Sequence, residues 1–321
     1  MFRRILVPLD GSPLAEAALP HAAALASAFD ARIHLLRVIP VRQRGGAVPL
    51  DIIDRRLGQA EASAYLQAVA ADLRRRGLAV ETEVLEGHPA EQIIEVLRGQ
   101  HANLLVFTSH GAGGCSEFPI SGTAQKVIAR AGISVLMIPT SKGAPAGARP
   151  VTYRRILVGL DGSRRGEWAL GPAATLARQA GAELVLAHVV QVPETIEEPP
   201  SAELAEAAGR LVRLNRQAAT RHLRETRVHL EGPDLRIRTR IEVSASIPDT
   251  LAALAESEQA DLVVLTAHGA SVSTAKPYGA IAMQVLAEAR RPLLVAQDAP
   301  RGLDTPRPTR SSEQQTALNH Q

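Results

Sequence analysis

Aromatic side chains are scarce: one Trp, three Tyr and four Phe serve 321 residues. A core with so few rings must be assembled from Ala, Leu, Val and Ile, and the ring platforms on which single-stranded nucleic acid stacks have little supply. Cysteine is limited to Cys115, which excludes an intrachain disulfide and any zinc site made from several thiolates. A reducing, cytoplasmic setting is the expectation that follows. Lysine occurs at Lys126, Lys142 and Lys276 alone, leaving arginine for the rest of the 36 basic positions. Against 33 acidic residues the formal charge is only +3, the signs alternate, and no dense basic run appears, so nucleic acid is not an expected partner. Long apolar runs are missing as well. Ile5 to Leu9 is a short run ending at Asp10, too brief for a signal-peptide core or a membrane span, and no membrane partner is expected.

What the sequence does contain is itself, twice. Residues 3–12, RRILVPLDGS, return as residues 154–163, RRILVGLDGS, with Pro8 replaced by Gly159. The register holds without a gap through Glu16 and Glu167, Leu25 and Leu176, and Val38 and Val189. Late in each half NLLVFTSHGA (103–112) faces DLVVLTAHGA (261–270). Two globular units of about 150 residues fit the chain length better than one large core. The expected division is 1–140, a Gly/Pro/Ala-rich linker over 141–152, 153–297, and a polar, unpacked tail over 298–321.

Each half alternates strand and helix. In the first, strands are expected at Ile5–Leu9, Ile33–Val38, Leu78–Leu85, Leu104–Phe107 and Val135–Ile138. Ser12 followed by Pro13 should open a helix running to about Phe29, and a long helix should cover about Leu50 to Arg76. A short helix opens near Pro89 in the segment HPAEQ, and another follows the loop Ser109–Ser121. The second half repeats this with strands at Ile156–Leu160, Leu184–Val189, Leu235–Val243, Leu262–Leu265 and Leu293–Ala296. The segments GGAVPLD and ETIEEPPSAE read as loops before the long second helices. The fold class predicted is α/β: two tandem doubly wound, Rossmann-like sandwiches, each a five-stranded parallel sheet with four helices.

In such a sheet a ligand sits beyond the carboxyl ends of the strands. Asp10-Gly11-Ser12, Val38 and the loop from Ser109 end there, and Gly122-Thr123 opens a helix whose free amides and dipole suit an anion. Asp10 and Asp161 could face a ribose or adenine edge, or cap the following turn with Ser12 and Ser163. A phosphatase of the aspartyl-nucleophile type would need a second Asp where Ser12 and Ser163 stand. His110 and His268 recur at matched places, yet no carboxylate or nucleophile lies at a spacing that would orient them, so loop ordering by hydrogen bonds is expected. Lys126 and Lys276 are either phosphate neighbours or solvated surface residues. Cys115 reads as an inert small residue, and the scattered histidines form no metal box.

The combination of LVPLDGS with T-S-H-G, a Gly-containing loop, G-T-A-x-K-V and a strand before Ile-Pro resembles the universal stress protein family, in tandem, across residues 2–140 and 153–297. The resemblance implies a five-stranded domain of the adenine nucleotide alpha hydrolase-like type and pairing through edge strands. In one subgroup it implies ATP, with Mg carried along, held by a G-x-x-G-x9-G-(S/T) loop. Carried onto this sequence, that places Leu9, Asp10, Val38, Thr108, Gly111, Gly122, Thr123 and Ala124 around a first-half nucleotide. In the second half it places Asp161, Val189, Thr266, Gly269, Gly279 and Ala280. The first half has Thr108 for the first glycine, ten residues between Gly111 and Gly122, and Pro119 within the loop. The second keeps the spacing of nine but has Ala280 for the hydroxyl residue. Because it retains the Gly-Thr pair, the first half is the expected site.

The functional expectation is a stress-response module that binds an adenine nucleotide, its two domains forming an intrachain pseudo-dimer, with a homodimer of the whole chain open. The alternatives are an interaction scaffold without nucleotide, and a slow ATPase or phosphotransferase for which no base and no paired metal carboxylates are evident.

Overall fold

The computed structural model describes residues 1–40, 52–114, 120–140, 150–193, 201–270 and 276–298, with side chains from residue 55 onward in the second of these segments. Cys115, Pro119, Lys142, most of the linker and the chain after residue 298 lie outside the described residues, as do most of the two loops that precede the long helices.

In the first half the elements are β1 (Arg4–Pro8), α1 (Pro13–Glu16), α2 (Ala18–Phe29), β2 (Arg32–Ile39), α3 (Ile52–Arg75), β3 (Val80–Glu86), α4 (Pro89–Gly99), β4 (Leu104–Thr108), α5 (Gly122–Ala131) and β5 (Ser134–Ile138). The second half has β6 (Arg155–Gly159), a 3-10 turn (Gly166–Ala169), α6 (Leu170–Ala180), β7 (Glu183–Gln191), α7 (Ala202–Leu230), β8 (Arg236–Ser244), α8 (Ile247–Ser257), β9 (Leu262–Thr266), α9 (Ala280–Glu288) and β10 (Leu293–Ala296).

The first helix departs from expectation by breaking at Ala17, so that Ser12 caps only a short α1 through a 3.1 Å bond from the Ala15 amide. In the second half Arg164 replaces Pro13, and the equivalent stretch is the 3-10 turn. A proline pre-set for the first helical position favours the α form there.

The inner strands β1, β4, β5, β6, β9 and β10 are short and almost wholly apolar because helices cover both faces of the sheet there, whereas the outermost strands β3 and β8 alternate apolar with charged residues and are only partly buried. One layer packs Leu25, Ile33, Leu66 and Leu73 under α2 and α3, and the same cluster continues through Leu176 and Leu223 under α6 and α7. The opposite layer packs Ile93, Leu97, Val127 and Ile128 from α4 and α5, and continues through Leu254 and Leu286 of α8 and α9. With few rings available, the aromatic contact of Phe2 edge-on to Phe29, 4.9 Å between centroids, closes the rim of the first layer.

Each half is a parallel sheet, in the order β3-β2-β1-β4-β5 and β10-β9-β6-β7-β8, and the two join into a single ten-stranded sheet. The joint is the antiparallel pair β5/β10, with Leu293 opposite Met137, Leu294 opposite Leu136 and Val295 opposite Val135. Two edge strands that would each expose unpaired amides thus satisfy one another. Side chains reinforce the joint. The buried Tyr278 hydroxyl donates to the Ile133 carbonyl at 2.6 Å, and the Gln297 amide donates to Ser134 Oγ at 3.0 Å.

On the α2/α6 side the Tyr153 hydroxyl lies 2.9 Å from His21 Nδ1. Burial pushes the His21 pKa down to about 4 from 6.5, so the ring is neutral at neutral pH and shares a single hydrogen with the Tyr153 hydroxyl along that contact. Burial likewise lowers His34 and His188. These rings take up protons more readily in the unfolded chain, so stability is full above pH ~6.5 and falls on acidification, by up to about 1.4 kcal/mol per pH unit for each ring. Urea denaturation against pH is expected to show a shallower acid slope between pH 6.5 and 4 in His21→Gln than in the native chain. An unchanged slope would contradict this assignment.

Candidate functional site

The carboxyl ends of the strands carry one Asp-Gly-Ser turn in each half, and because the halves join through an antiparallel pair the two turns lie at opposite edges of the ten-stranded sheet. Asp10 Oδ1 accepts from the Ser12 amide at 2.9 Å, and Oδ2 accepts from the Ala112 amide at 2.6 Å, tying the loop after β1 to the loop after β4. A Cβ at Gly111 would overlap Asp10 Oδ2, so this glycine is required by the carboxylate packed on its Cα. The second half reproduces the arrangement. Asp161 accepts from the Ser163 amide (3.0 Å), the Ser163 hydroxyl (2.7 Å) and the Ala270 amide (2.6 Å), and it occupies the place a Gly269 Cβ would take. Burial alone would raise the Asp161 pKa. The Ser163 and Ala270 bonds together outweigh it and hold the carboxyl below the ordinary range. Both carboxylates therefore do what a turn cap does while remaining exposed to the edge.

The matched histidines order the second loop. Thr108 Oγ1 donates to the His110 carbonyl at 2.7 Å, and Ser109 Oγ lies 3.1 Å from His110 Nδ1 and 3.0 Å from Thr140 Oγ1. The Thr108 hydroxyl is buried and engaged internally, not turned to the edge. His268 sits between the Asp298 carboxylate, 2.9 Å from Nδ1, and the Lys276 carbonyl, 3.0 Å from Nε2. No orienting carboxylate was expected from motif spacing, and Asp298 fell at the start of the expected unpacked tail. It is buried instead, because two residues beyond β10 its side chain meets both His268 and Arg165, the latter at 3.5 Å.

In each half a helix N-terminus opens beside this loop. Ser121 caps α5 through the Ala124 amide, at 3.3 Å, while Gly122 and Thr123 are exposed and a Cβ at Gly122 would meet open space. Ala124 itself turns inward to the core, and Leu9 is buried in the opposite layer, so neither presents a side chain to the edge. Val38 packs at the margin of the α4/α5 layer. In the second half Gly279 opens α9 with no side-chain cap, and Ala280 is exposed.

There the structure holds a cleft of about 520 Å³, lined by Leu160, Asp161, Val189, Leu265, Gly269 and the helix start Gly279–Ala282. Gly159, the residue that replaces Pro8, borders it, and a Cβ there would overlap a Leu265 methyl. The described cleft is thus in the second half, whereas the sequence favoured the first. The loop facing Gly122 in the first half includes residues 115–119, outside the described residues.

Sequence reading missed the groups beside the Asp turns. Arg37 crosses Gly11, which has φ +80, and lies 5.1 Å over the Tyr65 ring, whose hydroxyl donates to Glu16 at 2.9 Å. In register, the second half has His188 in place of Arg37, with Glu167 in place of Glu16. Burial first, and His222 next, lower the His188 pKa, while Asp161 acts in the opposite sense. A fixed cation beside one turn is therefore a neutral ring beside the other at neutral pH. Among the described residues no group of three or more His, Cys, Asp or Glu is placed to hold a metal ion, and no helix is long and apolar enough to cross a membrane.

The universal stress protein family model matches residues 1–139 and again 152–297. The chain belongs to the universal stress protein family. A universal stress protein of Mycolicibacterium smegmatis is 27% identical over 300 residues, 91% of this chain and 96% of that one. One from Thermus aquaticus is 32% identical over 142 residues, covering 43% of this chain and 99% of its own length, as a single-domain relative would. Among solved structures, a universal stress protein from Archaeoglobus fulgidus superposes with a TM-score of 0.64 at 18% identity, over 92% of this chain and 98% of that one. That likeness supports the fold, and the tandem arrangement agrees with the doubled family match.

Proposed function

We propose that this universal stress protein binds an adenine nucleotide, ATP in the first instance, beyond the carboxyl ends of the strands within a half, as a stress-response binding module built from an intrachain pseudo-dimer. The observation that carries the reading is the second-half cleft. It is apolar toward Val189 and Leu265, as an adenine ring requires, and it ends at the uncapped N-terminus of α9, where free amides suit phosphate. Asp161, which lines the same cleft, is assigned to the ribose. We assign the principal site to this cleft, with Asp10, Val38, Gly122 and Thr123 as the corresponding groups of a first-half site. Mg, where present, would come with the phosphates, since the described residues include no built metal site.

Turnover is not part of the proposal. His268 has both ring nitrogens engaged, by Asp298 and by a carbonyl, and is not free to act as a base. A scaffold without nucleotide gains support from one feature, the internal use of both Asp carboxylates, and the same experiment separates it.

Freshly purified protein, denatured and examined by mass spectrometry, is expected to release an adenine nucleotide, and its absence would favour the scaffold. Gly279→Val narrows the cleft mouth and should remove the nucleotide. Because a Cβ at Gly279 would come within 3.3 Å of the Ala267 carbonyl, Ala280→Glu serves as the companion variant. A carboxylate suits the first turn of a helix but repels phosphate. Ala280→Thr restores the missing hydroxyl and is expected to tighten ATP binding by about 5-fold, the worth of one added hydrogen bond.

A further inference from the structure

Helix α7 is longer than the packing beneath it requires. Of its 29 residues only Ala219, Leu223 and Thr226 are buried, all in its C-terminal half, while Leu204, Leu211 and Leu214 are 37%, 46% and 54% exposed. These leucines are not scattered. Leu204, Ala207, Leu211, Leu214 and Ala218 follow one another at spacings of three, four, three and four residues, the a/d alternation of a coiled coil. At about 100° per residue they form one stripe beside the face that packs on the sheet. A stripe of this kind on a soluble protein calls for a second helix.

The charges bordering the stripe select the partner and its direction. Glu203 and Glu206 stand at the start of α7, and Arg210, Arg213, Arg216, Arg221 and Arg224 follow. Among the described residues none of these seven makes an ion pair within the chain. Glu225 is the one acid among the arginines that follow, so the helix is acidic at its start and predominantly basic afterwards; such a helix is complementary to a copy of itself running the other way, and antiparallel helix dipoles add to that preference.

We propose that α7 is the interface of a homodimer, packed antiparallel against α7 of a second copy, with the two-fold axis at Val212 and Arg213. In this register Leu211 meets Leu214 of the second copy, Ala207 meets Ala218, and Leu204 lies on the aliphatic stem of Arg221. Glu203 then stands beside Arg224 at each end. Sliding one helix by a heptad centres the axis near Gly209 and sets Arg210 against its own copy, a like-charge contact that disfavours that register. A parallel pair would gain no Glu–Arg contact along the stripe. The pairing is isologous and closed, so assembly stops at two chains. It uses a surface remote from the β5/β10 joint.

Light scattering on the full-length chain tests this, with nucleotide binding followed in parallel. The expected mass is twice 34.1 kDa, falling to 34.1 kDa in Leu211→Glu/Leu214→Glu, whose sites are solvent-exposed and whose circular dichroism should match the native chain. Glu203→Arg should weaken the dimer, and Glu203→Arg combined with Arg224→Glu should restore it. A native monomer, or a dimer that the leucine variant leaves intact, would overturn the proposal. So would a native monomer that binds anionic vesicles through the same leucines, which would make the stripe a membrane-surface element. Loss of nucleotide binding with the dimer intact would bear on the nucleotide site alone.

Discussion

Leu136→Ala is expected to lower stability by about 3 kcal/mol, the usual range for emptying a fully buried leucine site, and to lower it for both halves together. Leu136 is fully buried and stands directly opposite Leu294 where β5 and β10 join the two sheets. Removing its side chain leaves a void that the facing strand lines, so part of the loss falls on the second half. Leu294→Ala should cost a similar amount, and the double variant should cost less than the sum, since one cavity is then shared. Chemical denaturation followed by far-UV circular dichroism and by the fluorescence of Trp168, which lies in the second half, is the check. The two transitions are expected to coincide and to shift together in Leu136→Ala. A Trp168 transition that stays in place while the dichroism shifts would mean that the halves unfold independently.

Gly111→Ala and Gly269→Ala are expected to be the most damaging of the small substitutions near the site. In each, the new Cβ overlaps the carboxylate oxygen of Asp10 or Asp161, which must swing away and release its bond from Ala112 or Ala270. Bonds to a charged group are worth about 1.5–3 kcal/mol each. The loop after β1 or β6 would then part from the loop after β4 or β9, and the proposed site would lose its shape. Thermal unfolding should show a lower midpoint for both variants, while Gly122→Ala, where a Cβ meets open space, should leave it in place. Equal midpoints for Gly111→Ala and Gly122→Ala would contradict the packing role.

The repeat, the α/β class and all ten strands are legible in the sequence: the inner strands as short apolar runs covered on both faces, and the outer β3 and β8 as alternating apolar and charged residues. The strand expected at Leu293–Ala296 coincides with β10. The antiparallel β5/β10 joint is less legible, since nothing in Ser134–Ile138 or Leu293–Ala296 distinguishes an edge that pairs with its twin from one that faces solvent. The break at Ala17 also escaped, as Leu14, Ala18 and Leu25 keep helical spacing through it. Asp298 was hidden by its neighbours: the polar, proline-bearing sequence after it reads as tail, and only the fold brings it to His268 and Arg165.

The site shows the same division. Motif residues such as Asp10, Gly111 and Asp161 stand beyond the carboxyl ends of their own half's strands where expected, but the reason for the glycines, room for a carboxylate, is three-dimensional. The exchange of Pro8 for Gly159 was visible as the lone difference in a ten-residue repeat. Its consequence, a Leu265 methyl lying against the bare glycine at the border of the cleft, depends on which side chain stands opposite. Arg37 gave no motif signal at all.

Nucleotide binding is the claim on which the functional account turns, and titration calorimetry of nucleotide-stripped, full-length protein with ATP measures it most directly. The account predicts saturable heat that Ala280→Glu abolishes or greatly weakens and Ala280→Thr strengthens. Heat no greater than dilution up to millimolar ATP, or saturable heat indifferent to both Ala280 variants, would contradict the assignment to the second-half cleft.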